Sequence, residues 1–373
     1  MKPFDLVCIG AGAASLSLLT RLVDHYPGRI ALIEQAQTLS ADRTWCGWSL
    51  RPHPFSDVVT QRWQQWAVSS NHSHTVQSGP IDYEMLSSAA VQTKAQSAIG
   101  TRNDWLVQMG CTVIDKAWSG SHWHLTLSTG ETLTTRWVLD STPPQITLRR
   151  PWLWQSFVGY ELRGVAPTHP EQVQLMAFRP VTTPAVVGFF YELPIAANHC
   201  LLEWTVFTRE QPNFAELQAA LDAECERRGW QGAERLRTEQ SHLPMQPIDP
   251  QPEPHWLPIG TAGGAMRPAT GYAFHAIQRW ADACAQALLQ GQNPVLAQRP
   301  KWLDWMDGVF LESLWQAGPQ ASERFVQLFE RAPSASVTRF LMSEPSWRDT
   351  LRIMQALPKI PLMKAALTRG WRR

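Results

Sequence analysis

FDLVCIGAGAASLSLLTRLVDHYPGRIALIEQ, residues 4–35, reads as strand, glycine turn, helix and strand in immediate succession. Phe4–Ile9 is a short apolar run with the character of a buried strand. A helix is predicted over about Ala13–His25 and a second strand over Arg29–Glu34. The turn between them is Gly10-Ala11-Gly12-Ala13-Ala14-Ser15, and Glu34 closes the second strand 22 residues after Gly12. Gly10 permits a tight turn, and Gly12 lets backbone approach a pyrophosphate. Ala13 and Ala14 then open a helix whose first N–H groups face that anion, and Glu34 can accept from a ribose. Ser15 stands at the third small position of this fingerprint, where it loosens the helix–strand packing without abolishing it.

A second glycine-rich stretch lies some 250 residues on: PIGTAGGAMRPATGYAFHAIQRWADACAQAL, 258–288. A strand runs into Gly260, Gly263 and Gly264, and a helix follows from about Tyr272. One NAD-binding unit has no use for so distant a partner, whereas a flavin held between two parts of a discontinuous domain does. TTRWVLDSTPP (134–144) adds a strand ending in Asp140 that closes the first half. Between 150 and 245, apolar runs separated by proline-rich turns predict an antiparallel sheet inserted into the flavin domain. After 290 the apolar spacing turns helical.

The expected fold is therefore α/β plus an antiparallel sheet: a Rossmann-type FAD domain over 1–60, 85–150 and 245–290, a substrate domain over 61–84 and 151–244, and a helical region over 291–373. A net charge of +1 gives no electrostatic argument for nucleic acid as a partner. Six cysteines without a C-x-x-C pair argue against zinc or disulfides and fit a reducing cytosol, and no metal is expected. The pairs His72/His74 and His122/His124 lack a third ligand in view and read as surface residues. No run reaches the ~18 apolar residues of a membrane span. The basic, amphipathic tail LPKIPLMKAALTRGWRR is either a solvated helix or a membrane-surface contact. Nineteen tryptophans either decorate the surface or line a pocket for a long apolar substrate.

CLLEWTVFT (200–208) is a buried-strand sequence carrying a carboxylate with no lysine or arginine within five positions on either side. Alternation puts Leu201, Glu203, Thr205 and Phe207 on one face, and Leu202, Trp204 and Val206 on the other. A carboxylate isolated in apolar surroundings holds its proton near neutral pH, as a general acid must. An edge-strand Glu facing water, or one paired with a distant Arg such as Arg179, is the alternative.

Together these segments resemble the lycopene cyclases, flavoproteins that close the end rings of acyclic carotenoids. The resemblance runs through GAGAASLSLL, DRTWCGW (42–48), VLDSTPP (138–144), WQSFVGYEL (154–162), LMAFRP (175–180), FFYELP (189–194), LLEWTVFT (201–208) and GTAGGAMRPATGYAF (260–274), and into the helical tail. It implies catalysis by Glu203 with Thr205, and membership of the intramolecular lyases, a class of isomerase. Reduced FAD would be the cofactor, used without net redox change, with NAD(P)H as reductant. By the same resemblance Arg43, Thr270, Gly271 and Tyr272 join the cofactor site, and Trp45, Phe189, Tyr191, Trp204, Arg267 and Pro268 the substrate site. The implied partner is a lycopene-like polyene, at the cytoplasmic inner face of a membrane. Departures from the family pattern are Ser15, Gly47 where Phe is expected, and Ala177 where Asp is expected; the last would remove a partner that orients Glu203. A flavin-dependent monooxygenase or polyprenyl reductase, and a degenerate homologue that only binds flavin or polyene, are the competing readings. Thr261, in the slot where hydroxylases usually carry Asp, argues against a hydroxylase.

Overall fold

A computed structural model of the chain describes residues 2–370. Its first sheet contains β1 (Phe4–Ile9), β2 (Ile30–Ile33), β6 (Leu106–Gln108), β7 (Val113–Trp118), β8 (Trp123–Leu127), β9 (Thr132–Asp140) and β15 (Trp256–Pro258), numbered in chain order. The order is β6-β2-β1-β9-β8-β7, with β15 pairing the C-terminal end of β9. β1, β2, β6, β9 and β15 are mutually parallel, which is why β1 and β2 are apolar on both faces. Between β1 and β2 runs α1 (Ala13–Leu22), three residues shorter than expected, packed on α4 (Phe274–Leu289). Leu16, Leu18, Leu19 and Leu22 bury there with Ile277, Ala281, Cys284 and Leu288. Burying each such leucine contributes about 1.5–3 kcal/mol. Arg21 donates to Gln278 Oε1 at 3.0 Å and pairs with Asp282, tying the N-terminal helix to one 250 residues later. α2 (Ser88–Ile99), capped by Ser87, adds Val91, Ala95 and Ile99 to this core.

The second sheet contains β3 (Thr44–Trp48), β4 (Gln61–Ser69), β5 (His74–Ser87), β10 (Trp154–Arg163), β11 (Gln172–Arg179), β12 (Ala185–Ala196), β13 (His199–Thr208) and β14 (Glu234–Pro244). Its order is β14-β10-β13-β12-β11-β4-β5-β3, antiparallel except where β11 meets β4. β3, which the boundary at residue 60 assigned to the dinucleotide domain, therefore lies in this sheet, paired with β5. The region 151–244, expected to be dominated by strands, also contains a helix, α3 (Phe214–Arg227), with Asn213 as N-cap. α3 buries Leu217 and Leu221 against Val158, Leu202 and Trp204 on the outer face. The inner face meets α5 (Lys301–Ala317), α6 (Ala321–Arg331), α7 (Ser334–Leu341), α8 (Trp347–Ala356) and α9 (Lys359–Gly370), through Leu303, Leu311, Phe325, Val337 and Ile353. The last three residues of the basic tail lie outside the described residues.

Candidate active site

The two glycine turns meet. Gly10 has φ +88°, and a Cβ there would lie 2.2 Å from Ser141 Oγ. At Gly12 a Cβ would meet nothing within 4 Å, so the backbone opening α1 faces open space, and no side chain caps the helix. Glu34 accepts from Ala11 N at 2.6 Å and Ala36 N at 2.9 Å, which fixes the acid beside the turn. Gly260 (φ +62°) reaches the same place, since a Cβ on it would lie 3.2 Å from Ala14 Cβ. Gly263 and Gly264 are crowded by the Pro258 and Ile248 carbonyls at 2.6 and 2.8 Å, so both are packing glycines. α4 also starts without a side-chain cap. Asp140 plays a local role: it accepts from Thr142 N at 2.8 Å and Trp256 Nε1 at 3.2 Å, joining β9 to β15.

From this junction a cavity of about 530 Å³ extends across the inner face of the second sheet to α8 and α9. Arg43, Trp45, Thr261, Thr270, Gly271 and Tyr272 line its end nearest the glycine turns. Trp45 stacks on Phe274 at 5.4 Å. Phe189, Tyr191, Glu203 and Phe207 form part of the floor, and Trp305, Met354 and Met363 the far end. Tyr191 and Tyr272 each hydrogen-bond Tyr83, at 2.8 and 3.1 Å, through their hydroxyls.

Register aligns a row of four residues across the floor: Tyr191 opposite Glu203, Glu203 opposite Gly159, Gly159 opposite Glu239. Glu203 is 8% exposed, and Thr205 Oγ1 donates to its Oε1 at 2.5 Å. Burial, reinforced by the nearby Glu239, pushes the Glu203 carboxyl up to about 8, against the weaker pull of Thr205 and Arg237. Burial pushes Glu239 up as well, but Arg237 Nη1 and Thr44 Oγ1 donate to its Oε2 at 2.7 and 2.8 Å. Of the two acids, only Glu239 has a cation in contact among the described residues. Gly159 makes their approach possible, since a Cβ there would lie 3.2 Å from Glu239 Cγ and 3.4 Å from Glu203 Cγ.

Several expected substrate residues have other duties. Trp204 faces α3, its ring 4.6 Å from Phe190, on the side of the sheet away from Glu203. Arg267 borders the cavity, but its guanidinium is held by Asp307 at 2.7 Å and by the Phe340 carbonyl, pinning the loop before α4 to α5 and α7. Pro268 is buried beside it and does not line the cavity. Ala177 packs with Phe190 and Trp204 under α3, so a side chain there could not orient Glu203; Thr205 does that. At Gly47 a Cβ would lie 2.8 Å from His275 Nδ1, which accounts for the absence of a ring at that position.

Among the described residues one group has metal-ligand spacing, His53, Glu84 and His275. Phe55 N donates to His53 Nδ1 at 3.2 Å, which puts the imidazole proton on Nε2, where it is given to Glu84 Oε1 at 2.8 Å. His275 Nε2 reaches the same oxygen at 3.1 Å. The arrangement is a hydrogen-bonded carboxylate shared by two imidazoles. His72 and His74 are exposed; His122 and His124 are half-buried, each bonded to a neighbouring hydroxyl.

Sequence reasoning missed Glu239, Tyr83 and Gly159. Gly159 was the available signal: a glycine in the middle of a strand marks a close approach, here of two acidic side chains from the flanking strands.

The structure is similar over 98% of both chains to a geranylgeranyl bacteriochlorophyll reductase-like protein of Thermoplasma acidophilum, at TM-score 0.69 and 11% identity. It is similar over the full length of both chains to a flavoprotein/dehydrogenase of Cytophaga hutchinsonii, at TM-score 0.64 and 14% identity. A mutant of the halogenase PltM in complex with FAD matches over 100% of this chain and 93% of its own, at TM-score 0.62 and 10% identity. These likenesses establish the flavoprotein fold, with its Rossmann-type domain and second sheet. No curated protein sequence matches the chain. The family model described as "Lycopene cyclase protein" matches residues 5–367, and the chain belongs to that family.

Proposed function

We propose that this protein cyclises the ends of an acyclic, lycopene-like carotenoid by proton transfer, with reduced FAD as a cofactor that undergoes no net redox change. The observation that carries the reading is Glu203: buried, bordering a long apolar cavity, bonded by Thr205, and with no cation in contact among the described residues. With Thr205 donating to Oε1, the proton of the neutral acid sits on Oε2 and can be delivered to the terminal C=C. The resulting tertiary cation is attacked by the nearby internal double bond, which closes a six-membered ring, and loss of a proton gives the cyclic end group. Phe189, Tyr191 and Phe207 present π-faces to the cation, and the apolar walls exclude water that would quench it.

The residues present fit a flavin dinucleotide. The uncapped start of α1 and the open space over Gly12 suit a pyrophosphate, Glu34 a ribose, and the segment Thr270–Tyr272 with Arg43 and Trp45 the ring system. Reduced flavin held by these residues would supply negative charge that stabilises a cation. NAD(P)H is the proposed source of the reducing electrons.

A membrane-surface location, on the cytoplasmic side, is part of the proposal. Trp305, Met354 and Met363 border the cavity and are themselves exposed, and Ile360 and Leu367 continue the exposed apolar surface along α9. Lys359 and Lys364 lie on the same helix. Such a rim suits delivery of a polyene from lipid. No helix among the described residues is long and apolar enough to cross a membrane. Expression in cells that accumulate lycopene tests the proposal: cyclic carotene from wild type and none from a flavin-loaded Glu203→Gln variant is the expected result. Uncyclised lycopene from both overturns it, and NAD(P)H consumed in proportion to product points to a reductase instead.

A further inference from the structure

We propose that Glu239 is the base of this reaction, taking the proton that the ring cation loses, while Glu203 supplies the first one. The inference rests on the cyclase reading and deepens it. Cyclisation needs both a proton donor and a proton acceptor, and the same cavity floor carries two carboxyl groups, one strand apart on either side of Gly159. Their backbones are about 9.6 Å apart across two strand spacings. Gly159 contributes no side chain between them, and the space its Cβ would fill is bounded by Glu239 Cγ and Glu203 Cγ.

Their surroundings divide the roles. Glu239 Oε2 accepts from Arg237 and Thr44, which favours the carboxylate, and no hydrogen bond to Oε1 is found among the described residues. Arg237 is held in turn by Glu161 Oε2 at 2.5 Å, and Glu161 by His199 at 2.9 Å. The charged and titratable groups facing Glu239 are Arg237 on its own strand, Glu161 on β10, Glu203 on β13 and Cys46 on β3. Burial raises both acids, and the Arg237 contact makes Glu239 the one of the pair to ionise first, leaving the proton on Glu203.

The step balances without an outside reagent. The Glu203 O–H bond breaks as a C–H bond forms on the terminal alkene, and the internal alkene's electron pair becomes the ring C–C bond. A C–H bond beside the new cation then breaks, its electron pair becomes the ring C=C, and the proton goes to Glu239 Oε1. Return of a proton from Glu239 to Glu203 across the Gly159 gap restores both groups, with no electron gained or lost.

The test compares wild type, Glu239→Gln and Glu239→Asp with lycopene and chemically reduced flavin. Expected for Glu239→Gln are retained flavin, ring formation slower by about 100-fold or more, an altered ratio of ring double-bond isomers, and loss of the low-pH limb of the rate profile. Glu239→Asp should recover part of the rate and keep a displaced low-pH limb. A Glu239→Gln rate within about threefold of wild type, with isomer ratio and low-pH limb unchanged, overturns the proposal. If the Gln variant does not fold, an Asp variant with an undisplaced limb overturns it equally. Wild type that forms no ring refutes the underlying reading instead. Infrared spectra test the acid and base assignment even then: the neutral-carboxyl band at neutral pH must vanish in Glu203→Gln and persist in Glu239→Gln.

Discussion

Glu84 and Glu203 sit in the same sheet and are both buried, yet they hold opposite charge states. Both are nearly closed to solvent, at 0% for Glu84 and 8% for Glu203, and burial pushes both carboxyls up. Only Glu203 stays up. Against the cost of burial, hydrogen bonds from His275 and His53 pull the Glu84 carboxyl down to about 2. Glu203 has one hydroxyl donor and a second acid nearby, and its carboxyl rises to about 8. At Glu84 the partners outweigh burial, and at Glu203 burial wins. Glu84 uses its charge to fasten β5, the loop at His53 and the start of α4. Glu203 keeps a proton facing a cavity.

The most direct way to break this contrast is Glu203→Gln. It keeps the shape and the Thr205 contact but removes the transferable proton, so ring formation should fall by about 10²–10⁴-fold. Folding should be unharmed. A carboxyl whose folded value is raised supports stability below its ordinary value near 4.5, and that support is lost as pH rises through about 8. Wild type should therefore lose stability relative to Glu203→Gln across this window, as urea unfolding at several pH values would reveal. The wild-type rate should fall above pH about 8 as the acid ionises. Glu84→Gln should do the opposite: a stability loss on the order of 2–3 kcal/mol at neutral pH. Because its folded value is depressed, the contribution exists above about 4.5 and disappears as pH falls towards 2, so wild type and variant should converge in acid.

The dinucleotide half was legible because its signals are local. Gly10, Gly12 and Glu34 lie within one strand–helix–strand unit, where spacing alone sets the geometry. Glu203 was legible as an acid in an apolar strand, and alternation placed it correctly opposite Trp204. Its counterpart Glu239 was not, because Arg237 two residues earlier gives it the look of an ordinary surface pair. Only the β13-β10-β14 order, which joins strands far apart in sequence, brings it beside Glu203. The same non-local order hid Arg267's engagement with Asp307 and drew β3 away from the domain that precedes it. Trp204 was assigned to substrate by resemblance, and the strand's own alternation was the better guide.

The two faces of β13 sharpen the comparison further. Trp204→Phe trims a ring packed against Phe190 under α3, so it should cost about 1–3 kcal/mol of stability while leaving ring formation per folded, flavin-loaded molecule unchanged. Thr205→Val, one residue on and on the opposite face, should reverse that pattern. The swap is nearly isosteric, so its effect comes through the lost hydroxyl donor. Glu203 Oε1 would then lack its partner, and because Thr205 lowers the Glu203 value, the alkaline limb of the rate profile should move upward. The rate at neutral pH should fall by about tenfold, the equivalent of one hydrogen bond that orients the acid. A limb that stays in place would mean that Thr205 does not touch the titrating group, and the acid would have to be sought elsewhere on the cavity floor.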